Sequence, residues 1–195
     1  MNKVYIKNKL SSLSLSMFRK DFFGIYHGSI SAKTESSRFI INTQEAIFDA
    51  LDENNLIELY FQQDYRWKQA SMDAAIHQNI YSHISEAKFI CFSVPPFTTA
   101  YALEHNLITP KDYFGYKELG SISIYDPKEF DNWYDRAESE IAHYFQTKKT
   151  NIMVIRGYGV YAYSRDIHEM AKKLAILEKS CRLLINEKVI NPFDD

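Results

Sequence analysis

Apolar residues recur at helical spacing from Leu10 to Phe23, which predicts a first helix over that stretch. Three strand-like pieces follow, around Ser29–Ala32, Phe39–Ile41 and Leu56–Phe61, separated by polar turns. Met72, Ile76 and Ile80 form an i, i+4 stripe and predict a helix over Ser71–Ile84. Lys88–Val94 is a compact apolar run of strand length that stops at Pro95-Pro96, and Thr98–Asn106 reads as the helix after it.

The second half carries clearer boundary signals. Asp126-Pro127-Lys128-Glu129 offers a capping Asp, a Pro at the first helical position and a Glu able to close a capping box. A helix is therefore predicted from there to about Thr147. Asn151–Arg156 and Val160–Ser164 have the composition of two strands joined across Gly157-Tyr158-Gly159. Asp166 with Glu169 makes a second capping pair, and the stripe Ile167, Met170, Leu174, Leu177, Cys181 and Leu184 behind it gives a long amphipathic helix. That stripe reads as a core face, since one helix alone makes no coiled coil. Strands and helices mix without strict βαβ alternation, which leaves α+β or a three-layer α/β/α sandwich. No repeat, low-complexity tract or Pro/Gly-rich linker divides residues 1–195, so one domain is expected.

Composition narrows the function classes. A formal net charge of −2 gives no electrostatic ground for a nucleic-acid or anionic-membrane partner. Aromatic residues make up 15% of the chain without a basic stripe beside them, so they are expected in the core and in subunit contacts rather than as a base-stacking platform. The opening MNKVYIKNKLSSLSLSMF holds no uninterrupted apolar run, so neither a signal peptide nor a membrane span is expected. Cys91 and Cys181 lie in apolar periodic stretches, as buried reduced thiols do, and a cytoplasmic location is the expectation.

Several local signatures, in order, resemble the class II aldolase/adducin family. Gly28-Ser29-Ile30-Ser31 is similar to that family's Gly-Asn-Ile-Ser turn, and Phe39 to Leu51 runs in step with the segment ending in Thr-Pro-Ser/Thr-Gly. Ala70-Ser71-Met72-Asp73 stands where the family has Pro-Ser-Ser-Glu, with His77 and Tyr81 where the next helix often carries His and Tyr. Phe92-Ser93-Val94-Pro95-Pro96-Phe97-Thr98-Thr99-Ala100 resembles His-Thr-His-Ser-Pro-Tyr-Ala-Thr-Ala, and Arg156-Gly157-Tyr158-Gly159-Val160 resembles the Asn-His-Gly-Leu strand. The resemblance covers about Leu10 to Glu187. It implies a three-layer α/β/α sandwich with a mostly antiparallel central sheet, and a homo-oligomer, a cyclic tetramer with its site between subunits.

The family's enzymes hold zinc on three histidines to polarise a carbonyl while a Glu moves the proton. Carried over position by position, the metal ligands become Phe92, Val94 and Tyr158, and the Glu becomes Asp73. No zinc cofactor is therefore expected. In a strand Phe92 and Val94 share a face while Cys91 and Ser93 point the other way, so Cys91 is no substitute ligand. His77 lies one helical turn beyond Asp73 and reads as a hydrogen-bonded structural residue, and no His-x-His pair exists anywhere in the chain. Of the family's phosphate-binding groups Gly28, Ser31 and Ser71 persist, Ser29 replaces an Asn, and Met72 replaces a hydroxyl. Gln44 and Glu45 replace a Ser/Thr-Gly pair; Glu45 either repels a phosphate or turns out into solvent. Asp73 is shorter than Glu by roughly 1.5 Å, enough to spoil a proton transfer built for Glu.

Two functions from different classes follow. One is a non-catalytic family member that binds a small molecule or assembles with copies of itself, as adducin's head domain uses the fold without aldolase chemistry; Tyr113-Phe114-Gly115-Tyr116 would then contribute to a contact, with core filling the equal alternative for these aromatics. The other is an enzyme acting on a sugar, sugar phosphate or other hydroxy-carbonyl compound without metal, with Asp73 as base, Tyr158 as electrophile or proton donor, and Gly28, Ser29 and Ser71 holding the substrate.

Overall fold

The computed structural model describes residues 3–25 and 27–190, so the expected single domain over 1–195 extends beyond the described residues at both ends. Its helices are α1 (Lys3–Phe18), α2 (Ala74–His83), α3 (Pro96–Glu104), α4 (Tyr113–Glu118), α5 (Trp133–Lys148) and α6 (Ile167–Ile190). Its strands are β1 (Ser29–Glu35), β2 (Arg38–Asn42), β3 (Leu56–Tyr60), β4 (Phe89–Ser93), β5 (Leu107–Ile108), β6 (Ile122–Tyr125), β7 (Ile152–Ile155) and β8 (Gly159–Ser164). They form one sheet in the order β3-β2-β1-β4-β8-β7-β6-β5, antiparallel at every pairing except β6 with β7.

The sheet is buried on both faces. Ile30 and Ala32 of β1, Phe89 and Cys91 of β4 and Val160 and Ala162 of β8 join the apolar faces of α1, α3 and α6 in one core. Residues of alternate parity, including Ile90 and Phe92 of β4 and Tyr161 and Tyr163 of β8, meet α2 and α5 in the other. Three layers result, and the period-2 alternation along β4 separates Cys91 from Phe92 as expected.

Two helix starts differ from the sequence expectation by more than a turn, while α2 begins at Ala74 rather than Ser71 and α3 at Pro96 rather than Thr98. The first helix begins at Lys3 and ends at Phe18, rather than spanning Leu10 to Phe23. Ile6, Leu10 and Met17 are its buried apolar residues, and the chain then turns back with Phe22 N–H donating to the Met17 carbonyl and Asp21 at φ +62°. Phe22 and Phe23 continue the apolar pattern because they fold under the sheet. The helix expected from Asp126 begins at Trp133 instead. Asp126 accepts from Lys128 N–H at 2.8 Å in a local turn, and Lys128 adopts φ +61°, a left-handed conformation that no helix continues through. The stretch holding β5, α4 and β6 carries no clear sequence pattern, because these elements are very short. There Gly115 lets α4 lie against α6; a Cβ at that position would come within 2.3 Å of Ser180 Oγ.

The turn after β4 is fixed from the far end of the chain. Glu178 on α6 accepts from the N–H groups of Phe97 and Thr98 at 2.9 and 2.8 Å and from the Thr98 hydroxyl at 2.7 Å. A buried carboxylate thus satisfies the orphan donors at the start of α3, where the helix dipole favours negative charge. Glu178→Ala leaves those donors buried without a partner and lowers the unfolding free energy by about 2–3 kcal/mol in urea titration. A loss below about 0.5 kcal/mol would show that the cap contributes nothing beyond an ordinary surface contact.

Candidate functional site

The site grows from a match between two repeats. Ser29 and Ser31 lie two residues apart on β1 and share a face, while Asp73, His77 and Tyr81 lie four apart at and along α2. Two strand residues advance about 6.7 Å and four helix residues about 6 Å, so the two rows run in step with the serines set between the helix side chains. The Ser29 hydroxyl donates to Asp73 Oδ2 at 2.7 Å and lies 2.9 Å from His77 Nε2. The Ser31 hydroxyl lies 2.7 Å from His77 Nδ1 and 2.7 Å from the Tyr81 hydroxyl. All five residues are buried.

Burial sets their charge states. The His77 pKa is pushed down to about 3 by loss of solvation, so its imidazole is neutral, one nitrogen donating and the other accepting. Burial pushes Asp73 above the ordinary carboxylate range, opposed by hydrogen bonding from Ser29 and by Tyr161 and Tyr134. Tyr134, from the first turn of α5, donates to Asp73 Oδ1 at 3.1 Å and covers the carboxyl from the solvent side. Burial also raises Tyr81 and Tyr134, assisted for Tyr134 by the adjacent Asp73 charge. A serine between Asp and His, with its hydroxyl spent on both, is no nucleophile; this cluster holds and orients a carboxyl.

Beside it stands a cluster of rings. Phe92 on β4 packs against Tyr161, with centroids 4.7 Å apart, and against Tyr158, with centroids 4.8 Å apart, while the two tyrosines lie 6.5 Å from each other, so the three rings share one corner. Trp133 and Tyr134 pack edge-on against Tyr158 at 5.7 and 6.2 Å. Val94 packs on the same cluster. Two glycines permit this cluster. Gly157 turns the chain between β7 and β8 at φ +65°, and Gly159, at φ +149°, passes where a Cβ would meet the Ser93 carbonyl at 2.6 Å and the Phe92 ring at 2.7 Å. The hydroxyls of Tyr158 and Tyr161 and the indole Nε1 of Trp133 are buried without a partner of hydrogen-bond geometry among the described residues. Burial and the nearby Asp73 push Tyr158 up to about 12.

A cleft of about 240 Å3 opens over this arrangement. Gly28, Ser71 and Asp73 lie in its walls with His27, Asn42, Thr43, Gln44 and Met72, and Phe92 and Tyr134 also line it. Gly28 sits at φ +136° with Phe23 so close that a Cβ would fall 2.4 Å from the ring, so only glycine lets the chain turn there. Ser71 Oγ accepts from Asp73 N–H at 3.3 Å, and Ser71 N–H donates to the Asn42 carbonyl at 2.9 Å, fixing this loop to the end of β2.

The structure brings Asp73, Gly28 and Ser71 to one cleft. Ser29 is instead wholly buried behind its wall with its hydroxyl committed inward. Tyr158 neighbours Asp73 across Tyr134 but is not part of the cleft wall. Glu45 turns out into solvent. Sequence reading missed Tyr134, Trp133 and Tyr161, the first two because the helix expected from Asp126 had the wrong starting point. His77 had a usable signal in its four-residue spacing from Asp73.

A zinc ion of the kind the resemblance implies does not fit the residues present. Phe92 and Val94 carry no donor atom, and only Tyr158 of the three carried-over positions has an oxygen. Among the described residues no group of three His, Cys, Asp or Glu side chains is placed to hold a metal ion. A dication over stacked rings would lose hydration without replacement ligands.

Comparison with known proteins gives the fold and the family. L-fuculose-1-phosphate aldolase from Thermus thermophilus superposes with a TM-score of 0.86 at 17% identity, over 97% of this chain and 97% of that one. The YgbL protein of Klebsiella pneumoniae gives 0.82 at 16% identity, over 95% and 91%. An aldolase II superfamily protein from Pseudomonas syringae gives 0.78 at 13% identity, over 97% and 78%. No curated protein matches the sequence. The sequence profile of the Class II Aldolase and Adducin N-terminal domain matches residues 8–185, and with that span the chain belongs to this family.

Proposed function

We propose that this chain is a metal-independent member of its family that binds a small hydroxyl-rich molecule in the cleft and assembles with copies of itself. The observation that carries this reading is the cluster of Phe92, Tyr158 and Tyr161 rings, which fills with apolar and phenolic volume the place where a metal site would need ligands. The cleft walls offer the Thr43 and Ser71 hydroxyls, the Asn42 and Gln44 amides and the Asp73 carboxyl. No lysine or arginine lines it and His27 is its one basic side chain, so a phosphate would find hydrogen bonds but little counter-charge. Tyr113, Phe114 and Tyr116 are 69, 63 and 70% exposed on the short α4, an apolar surface suited to a self-contact in a homo-oligomer.

One preparation tests both halves. Protein purified from zinc-supplemented cells without chelator contains far less than one zinc ion per chain by elemental analysis, and light scattering gives a mass of several chains. Stoichiometric zinc would overturn the metal-independent reading, and a strict monomer the assembly.

A second reading is supported by Asp73 itself, a buried carboxyl at the cleft whose burial raises its proton affinity above the ordinary carboxylate range. It makes the chain a metal-free proton-transfer enzyme for hydroxy-carbonyl compounds, with Asp73 as base and Tyr158 as proton donor. Turnover of a hydroxy-carbonyl compound separates the readings: if Asp73 is the base the parent turns it over and Asp73→Asn does not, and if the site only binds neither protein shows turnover.

The same variant has a pH signature. A carboxyl raised above its unfolded value of 3.8 stabilises the fold below that value, and the contribution is lost as pH rises through the folded pKa. Asp73→Asn removes this cost and is therefore more stable than the parent in urea at pH 7. The depressed His77 works in the opposite sense: its contribution is present above about 6.5 and is lost as pH falls toward 3. In Asp73→Asn the opposing Asp73 contribution is gone, and His77 adds up to roughly 1.4 kcal/mol per pH unit to the loss of stability between pH 6 and 4. Equal stability of parent and variant at pH 7 would show that Asp73 is not desolvated.

A further inference from the structure

The five buried groups from Asp73 to Tyr81 form an unbroken hydrogen-bonded chain, and its direction can be worked out. When Asp73 is a carboxylate it only accepts, so the Ser29 hydroxyl donates to Oδ2. Ser29 then accepts from His77, which puts the imidazole proton on Nε2. Nδ1 must accept, so the Ser31 hydroxyl donates to it, and the Tyr81 hydroxyl donates to Ser31. Every donor points toward Asp73.

When Asp73 is a carboxylic acid the same five residues close a second complete pattern. Oδ2–H donates to Ser29, Ser29 donates to Nε2, and the imidazole proton sits on Nδ1 and is donated to Ser31. Ser31 donates to the Tyr81 oxygen, and the Tyr81 hydroxyl turns to the Lys88 carbonyl, 3.5 Å away. This second pattern holds one more proton than the first, on Asp73 Oδ2. The imidazole keeps one proton throughout, which has passed from Nε2 to Nδ1. No group in either pattern is left without a partner, although the final bond is long.

We propose that His77 is the positioning residue of this site, exchanging its two neutral tautomers as Asp73 gains or loses a proton, so that the carboxyl stays hydrogen-bonded to Ser29 in both states. A serine alone could rotate its hydroxyl, but reversing the chain beyond it requires a partner that accepts in one state and donates in the other at the same atom. Neutral imidazole meets that requirement, and the burial of both ring nitrogens between serines excludes water as a stand-in. The inference goes beyond the binding reading and does not depend on which ligand fills the cleft.

The groups facing this chain do not supply an alternative charge. Tyr134 from α5 bonds Asp73, and Tyr158 and Tyr161 stand close to it from the turn before β8 and from β8. Tyr161 also meets the His77 ring edge-on at 6.1 Å, and Cys91 on β4 is buried toward the opposite face. Lys33, the cation beyond Ser31 on β1, donates to the backbone carbonyl of Tyr81 at 2.8 Å rather than to any member of the chain. No ion pair among the described residues includes Asp73.

The test is nitrogen NMR of the full chain labelled with 15N-histidine, with the His77 ring assigned by through-bond correlation to its backbone. On lowering the pH, the protonated ring nitrogen changes from Nε2 to Nδ1 with the same midpoint as the Asp73 carboxyl carbon and without formation of imidazolium over that range. In Asp73→Asn the tautomer no longer changes across that range. A His77 ring that keeps one tautomer through the Asp73 titration, that becomes cationic in step with it, or that still exchanges in Asp73→Asn would overturn the proposal. Ligand binding and zinc content do not enter this measurement, so its failure is separable from failure of the binding reading.

Discussion

Ser29, Phe92 and Tyr161 form one row across the three central strands, paired by register as Ser29 with Phe92 and Phe92 with Tyr161. Everything at the site depends on that row. At one end it delivers a hydroxyl to Asp73 and His77; in the middle and at the far end it delivers the rings that Tyr158 completes. A slip of one residue in β4 would send Phe92 to the α1–α3–α6 side and bring Cys91 under Asp73. The pairing is secured by side chains of matched parity on both faces, so the register is set by two cores at once.

Packed rings at the positions where the proposed reading leaves no metal ligands set the physics of the site. A metal site is held together by a few strong directional bonds and demands that its ligands be displayed. A ring cluster is held by area and shape, so it gains by being covered, and Trp133 and Tyr134 cover it. The cost appears as the three buried polar atoms of Trp133, Tyr158 and Tyr161 without well-formed bonds, and as a carboxyl kept out of water. Natural folds leave few such groups, and their concentration within one corner marks it as something other than passive filling.

Much of this was legible from residue order. The strands around the site followed from short apolar runs bounded by turns, the two faces of β4 from period-2 alternation, and α6 from its stripe and the Asp166 cap, which accepts from His168 and Glu169 N–H groups. Turn chemistry misled where it could serve two purposes: Asp126-Pro127 caps a helix in most settings, yet here it folds a tight local turn, and the left-handed Lys128 is invisible to composition. The site was half legible. Asp73, Gly28 and Ser71 emerged from motif position, but Ser29 was given an outward role that its buried pairing with α2 forecloses. Tyr134 could not be found without knowing where α5 begins, because a residue's direction on a helix follows from the helix start.

The reach of Glu178 bears on how the chain comes to be folded as it is made. Its partners Phe97 and Thr98 precede it by 81 and 80 residues, so when they leave a ribosome their anionic cap has not yet been synthesised. The turn that follows β4 must wait, half-finished, through the emergence of β7, β8 and the first half of α6, and a nascent polypeptide halted before that helix would carry the rings of the future site with nothing to lock the strand that bears them.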